Sequence, residues 1–146
     1  IDLGVEPYLV SSSVTGVIAQ RLVRRICKQC KEPYRPTVEA LAEIGLKPED
    51  MKDGHIMRGR GCPNCLNSGY LDRAAIYEIF PVADWTREMI MNRAGSTFIK
   101  SEAIKKGMKT LRMDGARKVL EGETTPEEFS NFGRVPPGWA EISSRS

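Results

Sequence analysis

Near the start of the chain the apolar positions follow two periods. Over 9–20, Leu9, Val10, Val14, Val17 and Ile18 recur close to helical spacing, and Ser11 to Ser13 offer capping oxygens, so a helix is predicted there. Leu22, Val23 and Ile26 then form a short β-branched run that predicts a strand over 21–26. Pro33 and Pro36 interrupt regular structure; Thr37 can cap a short helix through Ala42, with Leu41 and Ile44 turned inward, and Pro48-Glu49-Asp50 suits the first turn of another. Farther on, Ile76 and Phe80 are expected inward and Glu78 opposite, on a strand that Pro81 ends and that pairs with 21–26. Three amphipathic helices are predicted next: Asp84 caps one bearing Trp85, Met89 and Ile90, and Ser96 caps one bearing Ile99, Ala103 and Ile104, stopped by Gly107. Thr110 opens the third, bearing Leu111, Ala116, Val119 and Leu120, stopped by Gly122. The Met and aromatic residues on these helices are read as core packing. Thr125-Pro126-Glu127-Glu128 reads as an N-cap, a Pro at N1 and a capping-box Glu, and 133–146, without periodicity, is expected to be a disordered tail.

Composition narrows the function classes. The chain has 146 residues, 22 Lys+Arg against 19 Asp+Glu, and a net charge of +3, which mandates neither nucleic acid nor membrane as partner. No apolar run approaches the ~20 residues of a transmembrane helix. The opening Ile1-Asp2-Leu3-Gly4 has no starting Met and no basic n-region, so the chain is expected to be a piece of something longer.

The chemistry concentrates in four cysteines, Cys27-Lys28-Gln29-Cys30 and Cys62-Pro63-Asn64-Cys65, with 31 residues between the inner members. Each C-x-x-C loop aims two thiolates at one point, and two loops complete a tetrahedral S4 site that suits zinc. Arg24, Arg25, Lys28, Lys31 and Arg60 supply positive charge beside a site whose net charge is negative. Two alternatives use the same residues: a pair of disulfides, which needs an oxidising compartment, and a thioredoxin-like redox pair, which should open a helix in a βαβ unit. A closed S4 site leaves no position for substrate, so the metal would be structural. The segment from Cys27 to Cys65 is too small for a core of its own, and zinc, at about 10–16 kcal/mol in small structural sites, is expected to hold it. His55, the only histidine, is read as a turn residue.

Catalytic patterns are missing. Gly107-Met108-Lys109-Thr110 lacks the upstream glycine and the Gly-Lys adjacency of a phosphate-binding loop, and no Ser/His/Asp set is expected around the lone His55. A free-standing zinc adaptor and a zinc-ribbon nucleic-acid binder both fit this residue inventory. The second is weakened by the scarcity of aromatics among Lys28, Lys31, Arg58 and Arg60.

An ordered series of motifs goes further. Gly4-Val5-Glu6-Pro7-Tyr8-Leu9-Val10, Gly16-Val17-Ile18-Ala19-Gln20-Arg21-Leu22-Val23-Arg24, Cys27-x-x-Cys30-Lys31-Glu32-Pro33-Tyr34, Gly61-Cys62-Pro63-x-Cys65-x-x-x-Gly69-Tyr70, Arg73 with Ile76-Tyr77-Glu78, Gly107-Met108-Lys109-Thr110-Leu111-Arg112-x-Asp114-Gly115 and Gly122-x-Thr124-Thr125-x-Glu127-Glu128 together resemble the ATPases of type II secretion (secretion protein E) and of type IV pilus assembly. The resemblance implies an α+β chain: the C-terminal strip of a RecA-like ATPase core (1–26), a tetracysteine zinc-binding module (27–69) with Cys27, Cys30, Cys62 and Cys65 as ligands, and a return strand with a helical end domain (70–132). It implies a hexameric parent that binds ATP and Mg2+ upstream and powers pseudopilus assembly, homohexamer neighbours and inner-membrane platform proteins as partners, no nucleic acid, and a cytoplasmic place peripheral to the bacterial inner membrane. This chain alone, without the P-loop, is expected to be inactive. The Ser11-Ser12-Ser13-Val14 stretch is closer to the secretion branch. The family usually has glycines where this chain has Asp72 and Ala75, and an Asp72–Arg73 ion pair is a possible result of that departure. Arg73, Arg21 and Arg24 are carried over as nucleotide-proximal candidates, with local carboxylate pairing as the alternative.

Overall fold

The computed structural model describes residues 4–129. Its elements are α1 (Pro7–Ser13), β1 (Gly16–Ile26), β2 (Lys31–Tyr34), α2 (Val38–Glu43), β3 (Ile56–Gly59), β4 (Tyr70–Pro81), α3 (Asp84–Met91), α4 (Ser96–Lys105) and α5 (Leu111–Leu120), with 3-10 turns at Pro48–Asp50, Lys52–Gly54, Pro63–Cys65 and Pro126–Phe129. The mixed content agrees with the α+β expectation. The tail expected from residue 133 on lies outside the described residues. No helix among those described is long and apolar enough to cross a membrane.

The helix expected over 9–20 is cut short. Pro7 starts it in the first turn, but it ends at Ser13, and the chain is strand from Gly16. The Ser11 and Ser12 hydroxyls donate back to the Tyr8 carbonyl at 3.1 and 2.8 Å, so these serines close a last turn where they were expected to cap a first one. Val14, Val17 and Ile18 are β-branched, and β4 supplies the pairing partner, so strand wins. The insertion reading holds: β1 and β4 are sheet neighbours, and residues 27–69 leave and return between them. Strand period two also corrects Glu78, which shares a face with Ile76 and Phe80, half-buried and 3.6 Å from Lys100, while Tyr77 and Ile79 are exposed.

The chain forms two compact units, each taking part of β1 and part of β4. In the first, residues 4–19 and 77–110, α1 packs on α3 and the Arg87 guanidinium donates to the Ser11 carbonyl. Phe80 meets Trp85 edge-on at 6.3 Å, with the Lys106 ammonium 5.4 Å from the indole ring. Ala83 and Gly95 are the N-caps of α3 and α4, so Asp84 and Ser96 stand one residue inside the positions predicted for them. Gly107, at φ 95°, ends α4 as expected, its N–H on the Ile104 carbonyl at 2.9 Å.

The second unit, 20–76 and 111–129, holds the larger core: Val23, Leu41, Ile44, Ile56, Ile76, Met113, Val119 and Phe129 are buried. Thr37 caps α2 through the Ala40 N–H at 3.2 Å, and Leu41 and Ile44 point inward as predicted. The segment between the cysteine pairs builds no core of its own; its apolar residues join that of α5, which packs on β3 and on the turn at 126–129. Gly115 allows this closeness, because a Cβ there would stand 2.2 Å from the Phe129 ring. The expected helix at Pro48 is one 3-10 turn. Pro33, read as a breaker, instead sits within β2: a two-stranded ribbon leaves an outer edge where a missing N–H costs no ladder bond.

Candidate metal centre

Two strand ends and one small ribbon position the cysteines. The first pair follows directly from β1, and the Cys27 N–H donates to the Gly69 carbonyl at 2.9 Å, which joins the start of the insert to its end. β2 and β3 pair antiparallel with Lys31 opposite Gly59, so the ribbon leaves Cys30 on one side and runs to Cys62 on the other; the Arg60 N–H then bonds the Cys30 carbonyl at 2.9 Å. Arg58 braces the ribbon, 2.9 Å from its cross-strand partner Glu32 and stacked 5.3 Å from the Tyr34 ring. Gly59 and Gly69 cross at backbone contact: a Cβ on Gly59 would lie 2.0 Å from the Gly69 carbonyl oxygen. No side chain fits at that crossing.

The four sulfurs lie within 4.8 Å of one another. Cys27–Cys62, Cys30–Cys65 and Cys62–Cys65 are separated by 3.8, 3.8 and 3.7 Å. A tetrahedron with metal–sulfur bonds of about 2.3 Å has edges of about 3.8 Å, so the set fits one zinc ion. All four are free thiols, with no disulfide among them. Backbone N–H groups point at the sulfurs, Gly61 to Cys30 and both Cys62 and Gly69 to Cys65, each at 3.3 Å. Burial pushes the Cys30 thiol up to about 12. Burial also opposes ionisation of Cys65, but the N–H groups of Cys62 and Gly69 outweigh it and draw that thiol down to about 6. A thiol set already biased toward anions at one corner is suited to a cation, and a closed set of four sulfurs offers it no open coordination position. His55 stands apart from the set, its Nδ1 2.6 Å from the Asp53 carbonyl oxygen.

The arginines take different places. Arg24 is clamped to Glu128: its backbone N–H donates to Oε2 at 2.8 Å, and its Nε and Nη2 donate to Oε1 at 2.9 and 2.7 Å. Its guanidinium lies 4.2 Å over the Tyr70 ring, and the Tyr70 hydroxyl meets the Thr125 hydroxyl at 2.7 Å. The Thr124 hydroxyl closes the cluster on the Arg24 carbonyl at 2.8 Å. Burial pushes the Glu128 carboxyl up, but the Arg24 bonds outweigh it and hold it below its ordinary range. Glu128, expected to complete a local capping box, thus serves a strand 104 residues away. Its spacing from Thr125 was visible in the sequence; its distant partner was not. Arg21 and Arg73 are exposed on β1 and β4. Asp72, at φ 66°, makes no ion pair with Arg73.

Residues 1–133 match the family described as type II/IV secretion system protein. The chain is 43% identical over 127 residues to the type IV pilus assembly ATPase PilB of Thermus thermophilus, covering 87% of this chain and 14% of that protein. It is 44% identical over 134 residues to type II secretion system protein E of Pseudomonas aeruginosa, covering 92% of this chain and 26% of that protein. With the type II secretion system ATPase E of Vibrio cholerae the figures are 39% over 127 residues, 87% and 25%. The chain therefore spans about a quarter or less of the length of these relatives.

Proposed function

The chain belongs to the type II/IV secretion system protein family, and on that premise we propose that it is the C-terminal part of a hexameric ATPase that powers type II protein secretion by assembling a pseudopilus. The observation that carries the reading is the set of four sulfurs at tetrahedral spacing in a chain that matches secretion ATPases over most of its length. In this reading residues 1–26 and the return strand complete a RecA-like core, 27–69 is a zinc module, and the helices after β4 form the end domain. Zinc held by Cys27, Cys30, Cys62 and Cys65 supplies a cross-link and no reaction chemistry. ATP and Mg2+ bind upstream residues, since the chain carries no P-loop pattern. Exposed Arg21 and Arg73 are the candidates to approach nucleotide; Arg24 keeps that proposal only if its clamp on Glu128 opens. The module works on the cytoplasmic side, against inner-membrane platform proteins and neighbouring subunits.

A pilus-assembly role is the second reading, favoured by the near-equal identity of the Thermus and Pseudomonas relatives, 43% and 44%. ATP turnover of this chain and of its full-length parent tests the division of labour: hydrolysis is expected from the parent alone, and turnover by the isolated chain refutes it. Elemental analysis is expected to find about one zinc per chain. The sequence preceding Ile1 separates both readings from a free-standing adaptor, because only an in-frame P-loop fits the motor.

A further inference from the structure

The four sulfurs are not equivalent. Cys27, Cys30 and Cys65 are 0%, 5% and 4% exposed, whereas Cys62 packs against them only partly buried. Donors converge on the three buried sulfurs: the Gly61 N–H on Cys30, the Cys62 and Gly69 N–H groups on Cys65, and the Asn64 side-chain amide on Cys27 at 3.8 Å. Each donor draws charge off a thiolate and lowers its nucleophilicity, and burial blocks approach to it. Around Cys62 the loop faces solvent: Pro63 and Asn64 are exposed, and Leu66 is 89% exposed.

We propose that Cys62 is the sulfur at which this centre reacts with soft electrophiles, alkylating agents and hydroperoxides, and that its modification releases the metal. The inference rests on the zinc reading above. With iodoacetamide, a sulfur–carbon bond forms, the carbon–iodine bond breaks and iodide leaves, so an anionic ligand becomes a neutral thioether. With hydrogen peroxide, the Cys62 thiolate attacks one oxygen, the O–O bond breaks and hydroxide leaves. The Cys65 thiolate, 3.7 Å away, then attacks the oxidised sulfur, the S–O bond breaks, a second hydroxide leaves and a disulfide forms. Two thiolates lose two electrons, and the peroxide gains them.

The test begins with elemental analysis of the purified 146-residue chain, followed by substoichiometric iodoacetamide, peptide mass mapping and a colorimetric zinc chelator in parallel. Cys62 is expected to be labelled about tenfold faster than the other three, in step with zinc release. The Cys62→His variant, which keeps a zinc ligand, is expected to slow both labelling and release. Even labelling of a zinc-loaded chain, or first labelling at Cys27, Cys30 or Cys65, overturns the inference and leaves the zinc reading standing. A chain purified without zinc overturns the zinc reading and this inference with it.

Discussion

Replacing Glu128 by Ala removes three hydrogen bonds at once, and their geometry sets the size of the loss. The carboxylate is 13% exposed and accepts the Arg24 backbone N–H at 2.8 Å, a bond to a charged acceptor worth about 1.5–3 kcal/mol. The guanidinium half of the clamp counts for less, because the Arg24 side chain is 56% exposed and water can take over; about 1 kcal/mol is a fair ceiling there. Glu128→Ala is therefore expected to cost about 2–3 kcal/mol, which for a chain of this size lowers Tm by roughly 6–10 °C. Arg24→Ala keeps the backbone N–H on Glu128 and should cost only about 1 kcal/mol. Urea denaturation followed by circular dichroism measures both, and the ordering is the test. Equal losses, or a Glu128→Ala cost below about 0.5 kcal/mol, would refute the view that the main-chain bond anchors the 126–129 turn to β1. On the motor reading proposed above, the same pair informs the nucleotide question: if Arg24→Ala cuts the ATP turnover expected of the parent without changing stability, the clamp is incidental.

The Glu128 carboxyl titrates below its ordinary value of 4.5 once folded, so its contribution is present above that pH and is lost as pH falls through the folded value; wild type and Glu128→Gln should converge in stability in acid-denaturation curves. Gly115→Ala would press a methyl into the buried Phe129 ring, 2.2 Å from its nearest carbon, and is expected to cost about 1–3 kcal/mol by thermal unfolding. Thr86 is fully buried with no partner for its hydroxyl among the described residues, so in thermal unfolding Thr86→Val should leave stability unchanged or raise it by about 1 kcal/mol at most. If the proposed zinc site is filled, stripping the metal with a strong chelator should loosen more than 27–69: since Leu41, Ile44 and Ile56 share the core with α5, hydrogen exchange is expected to rise in α5 as well, and protection confined to an intact α5 would contradict that shared core.

Local chemistry was legible wherever neighbours in sequence decide the outcome. The doubled C-x-x-C spacing foretold a convergence of four sulfurs, Thr37 foretold its cap, Gly107 the end of α4, and Leu41 with Ile44 their burial. Two strands flanking a long insert were likewise readable from β-branched runs and from Pro81. What failed was whatever depended on a remote partner. Residues 16–20 carry a pattern compatible with helix and become strand because β4 is there to satisfy their backbone groups. Pro33 stops a central strand but not an edge, and only the pairing of β2 with β3 tells which it is. Glu128 is one turn from Thr125 in sequence, yet its carboxylate bonds to Arg24, because the fold brings a strand N–H and a guanidinium within reach together. Sequence alone determined the two cysteine pairs and the turns, which are properties of a few adjacent residues. Tertiary structure decided which strand edge, which carboxylate and which core each element joined, since those free energies exist only between segments far apart along the chain.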